Sequence, residues 1–265
     1  MFRGRDKMKF SSKKIRKIGE NGFYSVAYLL SFVIGMLVLR DESANWKVNL
    51  LSNDRMMGFW ESITDQDTLR GRLEPPTGWV RPFYLGVSGF WLGCAVSHFA
   101  IDTRRSDFME FVVHHLSTLL LLLVSYVLGY VRFGLVILPL HDCTDILLYG
   151  AKTVHYMGIS GVDTAIFFAF TVCFLVTRLI LYPRLVYGIF LEPFLILAEN
   201  PTYNFWARYW PVYIAEYVVV LSALFILQVL HCYWFGLVLK ILEGELSGRR
   251  KVSEEGDARS DDEDD

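Results

Sequence analysis

The sequence predicts an all-α polytopic membrane protein in which about six transmembrane helices enclose a polar cavity. The chain has 265 residues, of which 53% are hydrophobic, and several apolar runs approach the roughly 20 residues that a helix needs to cross a bilayer. These runs are continuous rather than alternating, which favours helices over a transmembrane barrel. Ionisable residues nevertheless lie inside consecutive runs, where they are costly and usually mark a site or a pathway.

Six apolar segments are predicted to span the membrane. They cover residues 22–39, 79–101, 108–130, 133–157, 162–182 and 211–242. We expect Pro211 to lie in the first turn of the last helix, where proline is tolerated. A further apolar stretch, 185–197, is short and has Glu192 and Pro193 in its middle. It is therefore predicted to be a re-entrant or interfacial segment rather than a crossing.

Charge divides the chain into three predicted domains. Residues 1–21 form a basic cytosolic segment, 22–242 the transmembrane domain and 243–265 an acidic cytosolic tail. An even number of spans puts both termini on one side. The positive-inside rule places that side in the cytosol, because the N-terminus and the connector with Arg104 and Arg105 are basic. In the tail, Ser260 precedes three acidic residues, a context that acidophilic kinases favour, so it is a candidate phosphorylation site.

A polar stripe runs along the fourth span. At about 100° per residue, six polar or polar-tipped side chains fall on one face roughly 100° wide. They are His141, Asp142, Asp145, Tyr149, Lys152 and Tyr156. The opposite face is aliphatic, so the stripe is predicted to face the interior of the bundle.

The third and fifth spans are polar on one side as well. On the third span His114 and Thr118 share a face, whereas His115 lies about 100° round, on a flank. On the fifth span two threonines and Arg178 recur at seven-residue spacing. Arg178 either joins a polar interior or snorkels to an interface. The four cysteines lie within apolar segments and are predicted to pack there as free thiols. They are Cys94, Cys143, Cys173 and Cys232.

These residues suit three chemistries. The first is acyl transfer, with a histidine as nucleophile or base and an aspartate orienting its ring. The second is metal binding through His114, His115, His141 and the carboxylates. The third is a proton relay in a transporter, which the lack of an inverted repeat disfavours. Other single histidines, such as His231, are expected to make helix–helix hydrogen bonds. We predict no metal site and no permanently bound cofactor.

Two segments are specific enough to resemble a known family. RRSDFMEFVVHHLSTLLLLLVSY and FGLVILPLHDCTDILLYGAKTVHYM resemble the Lag1 motif of ceramide synthases, members of the TLC-domain family. The likeness extends over roughly residues 14–265, from KIRKIGENGFYSVAY to the acidic tail. The His-His pair, the His-Asp pair and the second Asp are spaced as in that family. The resemblance implies a TLC domain whose cavity accepts an acyl chain.

The resemblance also implies an activity and a location. A fatty acyl group would move from coenzyme A to the amine of a sphingoid base in the endoplasmic reticulum membrane, giving ceramide and free CoA. The functional residues of the family correspond to His114, His115, Asp142 and Asp145. Acyl-CoA is then a co-substrate, and the sphingoid base and the lipid bilayer are partners. No nucleic-acid partner is expected, and both a homodimer and a heterodimer are compatible with the resemblance. The alternative is a non-enzymatic TLC-domain protein that handles lipids or associates with the translocon.

Contacts with the substrates are expected from further polar residues of the spans and of the connector. They are Thr118, His141, Tyr149, Lys152, Arg178, Arg104 and Arg105. Arg104 and Arg105 are placed to meet the CoA phosphates, although topology signalling alone also explains them. Neither the acyl chain length nor the preferred sphingoid base follows from the sequence.

Overall fold

The chain folds into helices throughout the part that the structure describes. The structure is a computed structural model, and it describes residues 11–43, 76, 78–100, 107–159, 161–199 and 204–247. The α-helices are α1 (Ser12–Ser43), α2 (Val80–Ala100), α3 (Phe108–Val127), α4 (Val131–Met157), α5 (Val162–Phe174), α6 (Tyr182–Glu199) and α7 (Asn204–Leu246). A π-helical segment, Leu175–Leu181, joins α5 to α6. The connector with Arg104 and Arg105 and the tail with Ser260 lie outside the described residues.

In the part of the chain that the structure describes, six helical rods form a closed ring, with α5, the π-helical segment and α6 acting as one rod. Around the ring, α3 packs on α2, α2 on α1, α1 on α4, and α4 on α5. The rod made by α5 and α6 then packs on α7, and α7 packs back on α3. A ring of this kind leaves an interior that every rod can reach with one face, which is what the polar stripes require.

The predicted all-α polytopic membrane architecture is confirmed. Five helices of the described residues are long and apolar enough to cross a membrane: 12–42, 80–100, 108–127, 162–192 and 214–245. Helix α4 is not among these five, although it is 27 residues long and lies between α1 and α5. It buries His141 and Asp142 within its length. Counting α4 gives the predicted six rods.

Two predicted helix boundaries are wrong. Residues 185–197 are not a separate re-entrant segment, because the fifth span continues through the π-helical segment into α6 without a break. Pro183 lies inside this continuous rod, two residues after the π-helical segment, and its missing N–H removes one backbone hydrogen bond there. Helix α7 begins at Asn204, so Pro211 lies inside the helix rather than in its first turn. Membrane helices accept interior prolines when neighbouring groups take up the freed carbonyl.

Two apolar clusters form the walls of the ring. One joins α4, α5, α6 and α7 around residues such as Phe174, Leu185 and Leu224. The other joins α1, α2, α3 and α4 around Tyr84 and Trp91. The polar side chains of α3 and α4 lie between these walls. All four cysteines are free, as predicted.

Candidate active site

His114 lies at the centre of the site and is held by aromatic packing. It follows the start of α3 by six residues, which places it about 9 Å along the helix axis. Its ring centroid lies 5.3 Å from that of Trp91 on α2 and 5.3 Å from that of Trp234 on α7. Neither ring nitrogen hydrogen-bonds to another described residue, although the side chain is buried. Two indoles therefore fix the ring while its nitrogens stay available to a ligand.

His115 points to a flank of α3, as its position on the helix predicts. Its Nδ1 donates to the carbonyl of Phe111 at 2.7 Å. Its ring stacks on that of His98 of α2, with 5.4 Å between centroids and 11° between planes. A carbonyl only accepts, so the proton is on Nδ1 and Nε2 is left as an acceptor. The two adjacent histidines thus have different surroundings and cannot exchange roles.

The two aspartates of α4 have separate partners. Asp142 is 2% exposed and accepts a hydrogen bond from the Ser31 hydroxyl of α1 at 2.6 Å. Asp145 forms an ion pair with Arg178, with 2.6 Å between Oδ1 and Nη2. Neither carboxylate hydrogen-bonds to His114, contrary to the expectation that one of them orients the ring. Ser31 and Arg178 lie far away in sequence and occupy the carboxylates instead.

Arg178 lies in the interior and does not snorkel. It is 4% exposed, and its Nε donates to the Thr144 hydroxyl at 2.9 Å. Its Nη2 also donates to the backbone carbonyl of His141 at 3.2 Å. The residue sits in the π-helical segment, a feature often found at functional sites. Arg178 therefore ties this segment to one turn of α4.

His231 of α7 makes the predicted helix–helix hydrogen bond, to His141 of α4. It is fully buried, and its Nε2 lies 3.1 Å from Nε2 of His141. His141 Nδ1 donates to the carbonyl of Ile137 at 2.8 Å, so its Nε2 must accept and His231 Nε2 must donate. His231 Nδ1 is then an acceptor without a partner among the described residues. Hydrogen-bonding logic therefore fixes the tautomer of both rings.

Two cavities meet at His114. The first encloses about 780 Å³ of empty space, open solvent included, and its lining extends from His114, Asp142 and Thr118 to Ser125 and Gly134. Apolar side chains line most of it, including Leu121, Leu122, Phe133, Ile137, Leu138, Val220, Leu224 and Leu227.

The second cavity encloses about 640 Å³ of empty space, open solvent included, and is more polar. It is lined by His115, Asp145, Tyr149 and Arg178 and also reaches His114. One imidazole thus borders both an apolar and a polar compartment.

The predicted site residues divide between the two cavities. Thr118, His141 and Asp142 line the first, and His115, Asp145, Tyr149 and Arg178 line the second. Lys152 lines neither of these cavities. The polar stripe of α4 does not face one space, because Asp142 turns to α1, Asp145 to the π-helical segment and His141 to α7. Within the described residues no three His, Cys, Asp or Glu side chains are grouped to hold a metal ion.

The structure is thus a ring of membrane helices that buries a His-His pair and Asp142 and holds Asp145 partly buried beside them. The sequence profile of the TLC domain matches residues 17–240. The chain is 31% identical to ceramide synthase 1 LOH3 of Arabidopsis thaliana over 256 residues, which cover 95% of this chain and 75% of that protein. It is 32% identical to human ceramide synthase 4 over 247 residues, covering 93% of this chain and 54% of that protein. The chain belongs to the TLC-domain family and, within it, to the ceramide synthases. It spans about half the length of the mammalian relative, at 54%.

Proposed function

We propose that the chain is a ceramide synthase that transfers a fatty acyl group from acyl-CoA to the amine of a sphingoid base. The observation that carries the proposal is that His114 lines both an apolar and a polar cavity. Thioester chemistry on a lipid needs this combination, because the chain requires an apolar space and the reacting carbonyl requires polar groups. The likeness to curated ceramide synthases favours an enzyme over a non-catalytic TLC-domain protein.

The apolar cavity is the proposed site of the fatty acyl chain. Most of its lining residues are apolar, as they are in small-molecule sites generally. Each methylene group that leaves water for such a lining contributes about 0.8 kcal/mol. Thr118 and Asp142 line this cavity together with His114, and all three are polar. We therefore place the thioester carbonyl beside these residues and the acyl chain along the apolar lining.

The polar cavity is the proposed meeting place of CoA and the sphingoid amine. Its lining residues include Phe111, near the start of α3, and Tyr149, in the last third of α4. Arg104 and Arg105 immediately precede α3 in sequence, and Lys152 lies on the last turns of α4. We assign these cations to the CoA phosphates, which bind well to arginine and lysine. With both termini cytosolic, the start of α3 and the end of α4 lie on the cytosolic side of the endoplasmic reticulum membrane.

His114 is the proposed nucleophile. Its free ring nitrogen attacks the acyl carbon, the C–S bond breaks and CoA leaves as a thiolate. The sphingoid amine then attacks the same carbon, the bond to His114 breaks, and the amine proton passes to the thiolate. The products are an amide and free CoA. Alternatively, His114 takes the amine proton as a general base and transfer is direct.

The test measures ceramide formation by the purified chain in lipid vesicles. Supplied with a long-chain acyl-CoA and a sphingoid base, the protein should form ceramide and release CoA, both measured by mass spectrometry. His114→Ala should abolish both products. His155→Ala is a matched control, because His155 pairs with Asp163 and lines neither cavity, and it should keep the activity. Ceramide formation by His114→Ala at the rate of the control would refute the assignment.

A further inference from the structure

We infer that Tyr84 closes the far end of the apolar cavity and thereby sets the upper limit of the acyl chain. The inference rests on the proposed function, since it assumes that this cavity holds the chain. His114 and Asp142 line one end of the cavity, and Tyr84, Ser125 and Gly134 line the other. The residue that blocks the second end decides how deep a straight chain can reach.

Tyr84 is held by contacts with two other helices. The side chain of this α2 residue is fully buried. Its hydroxyl donates to the backbone carbonyl of Val131, at the start of α4, at 3.1 Å. Ser125, near the end of α3, lies 3.4 Å from the same hydroxyl and shares its single proton between Tyr84 and the Leu122 carbonyl at 3.1 Å. A buried phenol with partners on two other helices does not swing aside for a ligand.

Gly134 makes the space that the Tyr84 hydroxyl occupies. A Cβ atom added at Gly134 would collide with that hydroxyl. Any other residue at this position would therefore push the phenol ring away from α4. The phenol of Tyr84 therefore depends on the glycine at position 134. Tyr84 lies near the start of α2 and Gly134 near the start of α4, at the same end of the helix bundle.

The depth of the cavity follows from helix geometry. Eleven residues separate His114 from Ser125 on α3, which corresponds to about 16 Å along the axis. An extended covalent chain advances roughly 3.5 Å over three bonds. A straight acyl chain that starts at His114 would thus meet Tyr84 after about 14 bonds. We expect the protein to prefer acyl chains near this length over chains that are eight or more carbons longer, which exceed the depth by roughly 9 Å.

The neighbouring Tyr126 separates a limit on length from a general effect on packing. Its ring centroid lies 6.1 Å from that of Tyr84, but the residue does not line the cavity. Tyr84→Ala and Tyr126→Ala therefore remove the same atoms from adjacent places. Only the first change lengthens the cavity.

The experiment offers the protein an equimolar series of saturated acyl-CoAs that brackets the expected length. Tyr84→Ala should move the preferred ceramide toward longer chains by about four carbons, because the phenol extends roughly 5 Å beyond Cβ and each bond adds about 1.2 Å. Tyr84→Phe keeps the ring and should keep the profile. A profile unchanged in Tyr84→Ala, or shifted equally in Tyr126→Ala, would overturn the inference.

A second readout does not need catalysis. The thermal midpoint of the detergent-solubilised protein is measured with a series of free fatty acids, because a ligand that binds the folded state raises it. The length that stabilises most should increase in Tyr84→Ala, or in Tyr84→Leu if the alanine variant does not fold. An unchanged length optimum overturns the inference here too. A wild-type protein that shows a length optimum but forms no ceramide would contradict the proposed function and leave the role of Tyr84 supported.

Discussion

Replacing Arg178 by Met removes one partner of a buried ion pair and leaves the other in place. Arg178 is 4% exposed and contacts Asp145 at 2.6 Å, the Thr144 hydroxyl at 2.9 Å and the His141 carbonyl at 3.2 Å. Breaking such a pair from one side costs about 3–5 kcal/mol, because a desolvated charge is left without compensation. At about 2–4 °C per kcal/mol for a chain of this size, the thermal midpoint should fall by roughly 6–20 °C.

The control for this change is an exposed ion pair in the same chain. Arg16 and Glu20 lie 3.2 Å apart on α1, with 78% and 55% of their side chains exposed. An exposed pair contributes at most about 1 kcal/mol, so Arg16→Met should lower the midpoint by no more than about 4 °C. The assay is thermal unfolding in detergent at a fixed scan rate.

The double variant Arg178→Met with Asp145→Leu distinguishes the ion pair from simple loss of packing. Removing both charges together is often neutral, so the double variant should recover at least half of the midpoint that Arg178→Met loses. If Arg178→Met behaves like Arg16→Met, or if the double variant is less stable than either single variant, the argument from a buried ion pair is wrong.

Four further outcomes are expected. Asp142→Asn keeps an acceptor for Ser31, so it should lower ceramide formation with little change in the thermal midpoint. Asp145→Asn should lower both ceramide formation and the thermal midpoint, and equal losses of stability in the two variants would contradict this difference. Protein incubated with acyl-CoA alone should gain one acyl mass that sphingoid base removes, and no adduct should form on His114→Ala; no adduct on the wild-type protein under rapid quench would favour direct transfer. Protease added to sealed microsomes should remove a C-terminal tag, and a protected tag would refute cytosolic termini. Deletion of residues 253–265, which include Ser260, should change activity or protein level without changing the thermal midpoint, and no change in any of them would exclude a regulatory tail.

Hydropathy predicts the membrane helices of this chain well because burial in lipid demands continuous apolar runs. The predicted third and fourth spans differ from α3 and α4 by three residues or fewer at each end. Polarity within those spans also predicts that His114, Asp142 and Asp145 face the interior, since charges in a membrane must do so, and each of them lines at least one of the two cavities. The partners that occupy the carboxylates could not be predicted, because Ser31 and Arg178 come from other rods of the ring.

Local geometry explains the other differences. Positions after Phe174 do not follow the rotation of about 100° per residue that the prediction assumed, because the chain there forms a π-helix. Arg178 consequently pairs with Asp145, a contact that the helical projection could not give. His231 makes the helix–helix hydrogen bond that the sequence predicts, to His141. Trp234, one turn further along the same helix, contacts His114 and lines the polar cavity, a role that the sequence did not predict.

The two indoles around His114 give the protein a built-in optical reporter. Trp91 and Trp234 each have a ring centroid 5.3 Å from that of the imidazole, and they belong to the two helices that flank α3 in the ring. Indole emission responds to the charge and polarity of groups in contact with it, and an acylated or protonated imidazole differs from a neutral one in both. Each reaction cycle would then be visible as a change in intrinsic fluorescence, without a label and in a native bilayer. Stopped-flow mixing with acyl-CoA would time the first chemical step directly, and Trp91→Phe and Trp234→Phe would show which indole reports it.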